Sequence, residues 1–330
     1  IIVLMFNYGN QWLNQMNSLL YLDKVVHVQK TRYQQLTFTE RYLGVSADTE
    51  QSSIINFYIN GRLQFSSLDE HIYHDYLVAP VLAGSARHDN ILIIGGGDGL
   101  ALRDVLKYDP KKVTLIDLDS ELIDIFKTPD QFLNANLARK IEHLNQGSLQ
   151  DKRVTILRSD AFITVNELLK TRQVFDAIIV DLPDPSHPDL NKLYTVNFYA
   201  RLQQLLSGDG LIAIQSTSPY HAKESFISIG KTLSAANFVH VQQYHDNVPS
   251  FGEWGWTIGA KMGKSPLARL NNLNQLPIKH NWLNLAILRS AFIFPNNFYS
   301  NKESIDINIL GSHTLYQLHQ KAWTTQQGLN

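Results

Sequence analysis

Cysteine is absent from the 330-residue chain, which excludes disulfides, thiolate metal sites and thiol catalysis. The absence agrees with a reducing compartment but leaves the compartment open. A surplus of charge is missing too. With 29 Lys and Arg against 30 Asp and Glu, the formal net charge is −1, so no global basic field draws in nucleic acid or an anionic membrane surface. No stretch reaches the ~18 consecutive apolar residues of a membrane-spanning helix, and no repeat or low-complexity segment is visible. What is there, 44% hydrophobic and 18% charged residues, is the composition of a globular chain able to bury a sizeable core. At this length a core of roughly 200 residues with smaller appendages is expected.

The chain opens with Ile1-Ile2-Val3-Leu4-Met5-Phe6, and Trp12, Leu13, Met16, Leu19, Leu20 and Leu22 follow near helical spacing. Two readings stand for residues 1–23: a first helix packed on the core, or the stub of a removed membrane segment. Residues 1–6 lack the basic start and small-residue cleavage site of a signal peptide. Residues 24–70 read as a small antiparallel β domain. Val25, Val26 and Val28 open it, Leu36-Thr37-Phe38 continue it, and Asn60-Gly61 joins the run Ile54–Ile59 to Leu63-Gln64-Phe65 as a two-residue hairpin turn.

From residue 71 the pattern changes. Helices are predicted over 71–83 and 99–108. Short all-apolar runs at Ile91–Ile94, Val113–Ile116, Val154–Leu157, Ala177–Val180 and Leu211–Ile214 alternate with helical stretches. That alternation indicates a parallel sheet covered on both faces. More mixed strands near 238–244 and 254–261 suit an antiparallel edge. The expectation for 71–264 is therefore an α/β, Rossmann-like sheet of the class I methyltransferase type. Residues 265–330, Asn- and Leu-rich with weak periodicity, read as an extension wrapped on the core.

Three motifs carry chemistry. Gly95-Gly96-Gly97-Asp98-Gly99 follows a buried strand and precedes a helix, where glycines allow a tight turn and close approach of a ligand to a helix N-terminus. Dinucleotide enzymes use a similar loop, so the loop alone is not specific. Asp117 ends the next strand, where a carboxylate can accept hydrogen bonds from vicinal ribose hydroxyls. Together they predict an adenosine site. Asp119 reads as a solvated helix-start residue, and Asp160 either reads an adenine amino group or caps a helix. The third motif, Asp181-Leu182-Pro183-Asp184-Pro185, follows the strand Ala177–Val180 and sets two carboxylates in a proline-flanked loop at the ligand-binding rim of the sheet. Asp98 adds a carboxylate where methyltransferases of this fold hold the carboxylate end of S-adenosylmethionine. It would repel that group and attract a bare ammonium. With Asp75 weighed as a further member, the pocket is anionic and suits a polycationic substrate.

These residues resemble the spermidine synthases, the polyamine aminopropyltransferases. The resemblance covers roughly residues 24–262. It rests on Lys30-Thr31-Arg32-Tyr33-Gln34, Asn60-Gly61 with Gln64-Phe65, Asp69 to Asp75, Gly95 to Gly99, Asp117-Leu118-Asp119, Asp160-Ala161, Asp181 to Pro185, Asn197-Phe198-Tyr199 and Gln215. The hydrophobic start and Val248 to Gly252 look like the longer bacterial members with N-terminal membrane helices.

The resemblance implies transfer of an aminopropyl group from decarboxylated S-adenosylmethionine to a diamine such as putrescine, giving spermidine and methylthioadenosine. By the same resemblance Asp181 and Tyr73 are catalytic. Gln34, Gly95, Gly97, Asp98, Asp117, Asp160 and Ala161 bind the donor. His74, Asp98, Asp181, Asp184 and Phe251 line the acceptor site. No metal and no cofactor are expected, the donor being a co-substrate. The expected partners are these small molecules and a second copy of the chain, not nucleic acid. The location expected is cytoplasmic, with a longer form anchored to the membrane. Four departures bear on the acceptor or the ribose contact. Asp117 replaces the usual Glu, Leu182-Pro183 replace two serines, Phe251 stands where many members have Tyr, and Trp254 and Trp256 crowd their stretch. Two alternatives remain at this stage: an S-adenosylmethionine-dependent methyltransferase, and a catalytically silent adenosine- or polyamine-binding module. A dinucleotide oxidoreductase ranks behind both, since no catalytic pair stands against a nicotinamide.

Overall fold

The structure, a computed structural model, describes residues 20–44 and 53–326. The run at 1–6 and most of the segment predicted over 1–23 lie outside the described residues. The chain divides into two compact units, Ile1–Glu70 and His71–Asn330.

The first unit is a four-stranded antiparallel sheet in the order β1-β2-β3-β4. Its strands are Lys24–Lys30, Gln35–Tyr42, Ser53–Ile59 and Arg62–Ser66. Phe38 lies opposite Phe57, and Phe57 opposite Phe65, with ring centroids 4.7 and 5.4 Å apart. Such cross-strand aromatic pairs stabilise a sheet by up to about 1 kcal/mol each. Asn60 and Gly61 make the β3–β4 turn with φ of 50° and 79°, the backbone of a type I′ hairpin turn. The Asn60 carboxamide oxygen also accepts from the Gln35 N–H at 2.9 Å.

The second unit holds a seven-stranded sheet in the order β10-β11-β9-β8-β5-β6-β7. The strands are β5 (Asn90–Gly95), β6 (Lys112–Asp117), β7 (Val154–Arg158), β8 (Phe175–Asp181), β9 (Leu206–Gln215), β10 (His240–Val248) and β11 (Gly252–Ala260). β5 to β9 run parallel, and β11 pairs antiparallel with both β9 and β10. The runs Ile91–Ile94 and Ala177–Val180 are wholly buried, as expected where helices cover both faces. Burial of each Ile, Leu or Val in these runs contributes roughly 1.5–3 kcal/mol.

The helices are α1 (Glu70–Ala83), α2 (Leu100–Leu106), α3 (Ser120–Lys127), α4 (Ala135–Asn145), α5 (Ala161–Lys170), α6 (Pro188–Asn191), α7 (Val196–Leu205), α8 (Lys223–Ala235), α9 (Pro266–Asn271), α10 (Leu285–Ser290) and α11 (Thr314–Gln326). Short polar side chains start several of them by accepting backbone N–H groups that the first turn leaves unpaired: Asn134 for α4, Asp160 for α5 and Thr195 for α7. Asp119 does the same for α3. It is buried, at 4% exposure, rather than solvated as the sequence suggested, because its carboxylate is turned onto the Glu121 and Leu122 N–H groups.

The stretch after β11 is more ordered than its weak periodicity implied. Leu270, Leu283, Leu288, Phe298, Ile305 and Leu315 are all buried, and Phe298 and Ile305 pack with Phe226 and Ile227 of α8. Asn308 is fully buried and donates its carboxamide to the Asn191 and Tyr194 carbonyls, both at 3.1 Å. Its own carbonyl accepts from the Val196 N–H at 3.0 Å. Among the described residues no helix is long and apolar enough to cross a membrane.

Candidate active site

In an open α/β sheet, ligands settle where successive connections leave in opposite directions. Here β5 connects onward to β6 on one side, while β8 is its neighbour on the other. The register sets Gly95 beside Asp181 at the carboxyl end of both strands, and the Gly96 N–H donates to the Asp181 carbonyl at 3.1 Å. The glycine loop and the Asp181–Pro185 loop therefore meet at this switch point.

On the β6 side, Asp117 Oδ2 accepts from the Gly97 N–H at 3.0 Å and Oδ1 from the Asp119 N–H at 2.9 Å. A Cβ on Gly97 would fall 2.8 Å from Asp117 Oδ2, so only glycine lets loop and carboxylate approach this closely. Burial pushes the Asp117 carboxyl up to about 7, against the two N–H bonds, and the charges of Asp119 and Asp98 push the same way. Asp98 is half-buried at the start of α2, with Oδ1 on the Leu100 N–H at 2.9 Å.

Asp160 is a helix cap, and more. Its Oδ1 accepts from the Phe162 N–H at 2.8 Å, while Oδ2 pairs with Lys192 Nζ at 2.6 Å. Ala161 follows as the first residue of α5 and is buried. Gln34 belongs to the first unit, in the turn between β1 and β2, where its N–H donates to Thr31 Oγ1 at 3.1 Å.

The two loop carboxylates have different surroundings. Asp181 Oδ1 accepts from the Tyr73 hydroxyl of α1 at 2.7 Å, and Oδ2 lies beside Gly96, where a Cβ would come within 3.1 Å. Burial raises the Asp181 pKa, opposed by the His74 charge and the Tyr73 hydrogen bond. Burial and the Asp181 charge keep Tyr73 well above the ordinary phenol range, so it stays a donor. His74 is buried, its ring 4.9 Å from that of Tyr73. Phe251 sits edge-on to Tyr73 at 6.0 Å and against Trp254 at 4.9 Å.

Asp184 is held by donors on both oxygens. Gln215 Nε2 donates to Oδ1 at 2.9 Å and to the Leu182 carbonyl at 3.1 Å. Oδ2 faces Thr217 Oγ1 at 3.4 Å and His319 Nε2 at 3.2 Å. The Tyr194 hydroxyl donates to the Pro183 carbonyl at 2.9 Å and fixes the middle of the loop. Leu182, which stands with Pro183 where two serines are usual, turns its side chain into the core. It is buried at 8% exposure in the core with Ile94, Val180 and Leu193.

Asp75, weighed as a further member of the anionic pocket, lies two positions beyond Tyr73 on α1, and its Oδ1 pairs with buried His280 Nδ1 at 2.8 Å. Trp256 is likewise a core residue, stacked on Tyr76 at 5.1 Å and Tyr244 at 5.7 Å. Sequence reasoning missed His280, His319, Thr217 and Lys192. A lone histidine in an Asn- and Leu-rich stretch carries no local signal. Thr217 has φ of 60°, which a β-branched residue rarely adopts, and nothing in its neighbourhood of sequence announces that. Among the described residues, no group of three or more His, Asp or Glu is arranged to hold a metal ion.

The chain is 53% identical over its whole length to a polyamine aminopropyltransferase of Shewanella oneidensis, covering 57% of that protein. It is 38% identical over 84% of its length to polyamine aminopropyltransferase 1 of Streptomyces coelicolor, covering 48% of that protein. The chain thus spans about half the length of these curated relatives. Among solved structures, a spermidine synthase in complex with the transition state analogue AdoDATO superposes with a TM-score of 0.71 at 23% identity, covering 85% of this chain and 89% of that one. The spermidine synthase of Thermotoga maritima gives 0.68 at 22% identity, covering 86% and 88%. At these identities the likeness is one of fold. The family model described as the spermine/spermidine synthase domain matches residues 70–272, well over half of the sequence, and the chain belongs to that family.

Proposed function

We propose that this chain transfers the aminopropyl group of decarboxylated S-adenosylmethionine to a diamine such as putrescine, releasing methylthioadenosine. The observation that carries the reading is Asp181. It is a carboxylate whose pKa burial raises, with one oxygen fixed by Tyr73 and the other left beside the glycine loop.

The chemistry asks little of the leaving group. A neutral amine attacks the carbon next to the sulfonium, the carbon–sulfur bond breaks, and its electron pair leaves on sulfur as a neutral thioether. The nucleophile is the difficulty. An alkyl ammonium with a pKa of about 10.4 is neutral in about one part in 2,500 at pH 7, a penalty of about 4–5 kcal/mol. Asp181 takes that proton, and its raised pKa makes it a better base than an exposed aspartate. Tyr73 orients it, and His74 lies next to Tyr73 as a route outward for the proton. In the donor site Asp117 holds the ribose, with Gly95 and Gly97 giving close approach. Asp160 and Ala161 take the adenine side, and Asp98 attracts the aminopropyl ammonium. Phe251 supplies a ring face without a hydroxyl to the acceptor, and Asp184 anchors the acceptor's far ammonium. The methyltransferase reading suffers from Asp98, which would oppose a donor carboxylate. A homodimer and membrane attachment of a longer form rest on the resemblance alone. Sedimentation of the purified chain tests the first.

The decisive assay offers the chain decarboxylated S-adenosylmethionine with a panel of diamines and follows methylthioadenosine, with S-adenosylmethionine as control donor. No release from any diamine would overturn the proposal in favour of the silent binding module.

Two variants probe the parts. Asp117→Ala should weaken methylthioadenosine binding by about 1–3 kcal/mol, the scale of hydrogen bonds to a charged group. In the unmodified chain, affinity should fall as pH drops through about 7, because the protonated Asp117 carboxyl is a poorer acceptor for the ribose hydroxyls. The stability effect has the opposite sign. The folded chain holds this proton more tightly than the unfolded one, so the group's contribution declines as pH rises from about 4 to about 7. Calorimetric titration at several pH values measures the first, and thermal melts the second. Asp184→Asn should raise the acceptor KM with a smaller loss of kcat, since an anchor acts in binding. An unchanged KM would move the ammonium site away from Asp184.

A further inference from the structure

The family-matched region ends at residue 272, yet a side chain from far beyond it reaches the Asp181–Pro185 loop. His319, on α11, is fully buried, and its Nε2 stands 3.2 Å from Asp184 Oδ2. A carboxylate only accepts, so this contact needs the proton on Nε2. Trp323, one turn further along α11, directs its indole N–H at the same Nε2, 2.9 Å away. An indole N–H only donates and so needs Nε2 bare. One nitrogen cannot serve both contacts at once. His319 Nδ1 is buried without a hydrogen-bond partner, so nothing on that side selects a tautomer.

The helix is not a loose appendage. Leu315 is buried in the core cluster, the Tyr316 N–H donates to Asn191 Oδ1 at 3.2 Å, and Asn308 ties the preceding segment to the Asn191 and Tyr194 carbonyls. The same elements thus hold the stretch that follows Asp184 and the helix that carries His319.

We propose that His319 is a positioning residue of the acceptor site. Its Nε2–H holds Asp184 Oδ2 while Gln215 holds Oδ1, so the carboxylate presents its remaining lone pairs in one orientation to the acceptor's ammonium. Trp323 competes for the same nitrogen and sets how firmly that hold is kept. The inference rests on the proposed aminopropyl transfer and adds α11 to the determinants of acceptor choice.

The test is steady-state kinetics of the full chain with decarboxylated S-adenosylmethionine and putrescine. His319→Ala should raise the acceptor KM by about 5–150-fold, the range for losing one hydrogen bond to a charged group, with kcat changed less than threefold or so. Methylthioadenosine affinity should stay as it was. His319→Gln, which offers an N–H at the same reach, should bring the acceptor KM back to within about threefold of the unmodified chain. In an Asp184→Asn background, His319→Ala should add little, because the effect runs through that carboxylate. A purely structural role would instead lower the melting temperature and kcat in both His319 variants and leave the acceptor KM alone. That pattern, or an equal KM rise with and without Asp184→Asn, overturns the proposal. If His319→Ala does not fold, His319→Gln decides: a near-normal KM supports the positioning role, and a large rise or unfolding overturns it. Product release with an unchanged KM defeats this inference alone, whereas no release from the unmodified chain brings down the proposed function with it.

Discussion

Asp181→Asn is expected to lower turnover by roughly 10²–10⁴-fold while leaving nucleoside affinity nearly unchanged. Asparagine keeps the shape of the side chain and can still accept from Tyr73 through its carbonyl oxygen, but it cannot take a proton. The nucleoside contacts proposed for Asp117 and Asp160 lie on other strand ends and are untouched. The pH profile gives the test its sign. In the unmodified chain the rate should climb from acid pH as Asp181 ionises, at a pH above the ordinary carboxylate range because burial raises its pKa. Removing the Tyr73 hydroxyl takes away a hydrogen bond that favours the carboxylate, so Tyr73→Phe should move that acid limb to still higher pH. In Asp181→Asn the amine must arrive already neutral. Its free fraction grows tenfold per pH unit below its pKa, so the variant should regain part of its loss above pH 7. A variant as fast as the parent, or one whose deficit is the same at every pH, would remove Asp181 from the role of base.

Gly95→Ala is expected to be the most damaging single methyl in the site. Gly95 has φ of +81°, and a Cβ there would lie 2.0 Å from the Asp181 carbonyl oxygen and 2.8 Å from its carbonyl carbon. Both are backbone atoms of β8, so relief requires parting the strands at their ligand-binding ends. The left-handed conformation costs an alanine roughly 1–2 kcal/mol, and overpacking adds about 1–3 kcal/mol. A total of about 2–5 kcal/mol corresponds to a fall in melting temperature of roughly 5–15 °C for a unit of this size. Gly147→Ala is the internal comparison. It has φ of +65° with nothing within 4 Å of the added Cβ, so it should show the conformational cost only. Equal losses in the two variants would mean that the close approach of loop to strand contributes nothing. Turnover in Gly95→Ala should fall with the displacement of Asp181, even where enough folded protein remains to assay.

The parts of this molecule that could be read from sequence are those whose cause is local. Ile91–Ile94 and Ala177–Val180 announce a doubly covered parallel sheet because burial on both faces removes every polar position. Asn60-Gly61 announces its hairpin because few residue pairs accept two positive φ values. Asp117, at the end of a strand beyond a glycine loop, was likewise visible, and the structure does bring it onto that loop. Other features depend on distant partners and left no such trace. Asp160 gave equal grounds for capping a helix and for reading a base, and its Lys192 contact lies 32 residues away. Asp75 reads as one more pocket carboxylate, and nothing near it in sequence points to its partner His280, 205 residues along the chain. The weak periodicity after residue 264 hid an ordered segment, because two of its three helices are of six residues and its buried leucines are spaced by loops rather than by turns of helix.

The knot at Asn308 has a consequence for how the chain comes together in time. The Asn191 and Tyr194 carbonyls are 117 and 114 residues upstream of the Asn308 carboxamide that donates to both. At synthesis rates of about 5–20 residues per second, Asn191 and Tyr194 are made roughly 6–23 s before that partner exists. The sheet strands that flank this stretch can pair before then, since β5 to β8 need nothing from beyond β9. The stretch after the Asp181–Pro185 loop is thus expected to be the last part of this unit to set, the Asn191 and Tyr194 carbonyls meeting water until residue 308 arrives. A chain interrupted between β11 and Asn308 would carry a formed sheet with that stretch still unset.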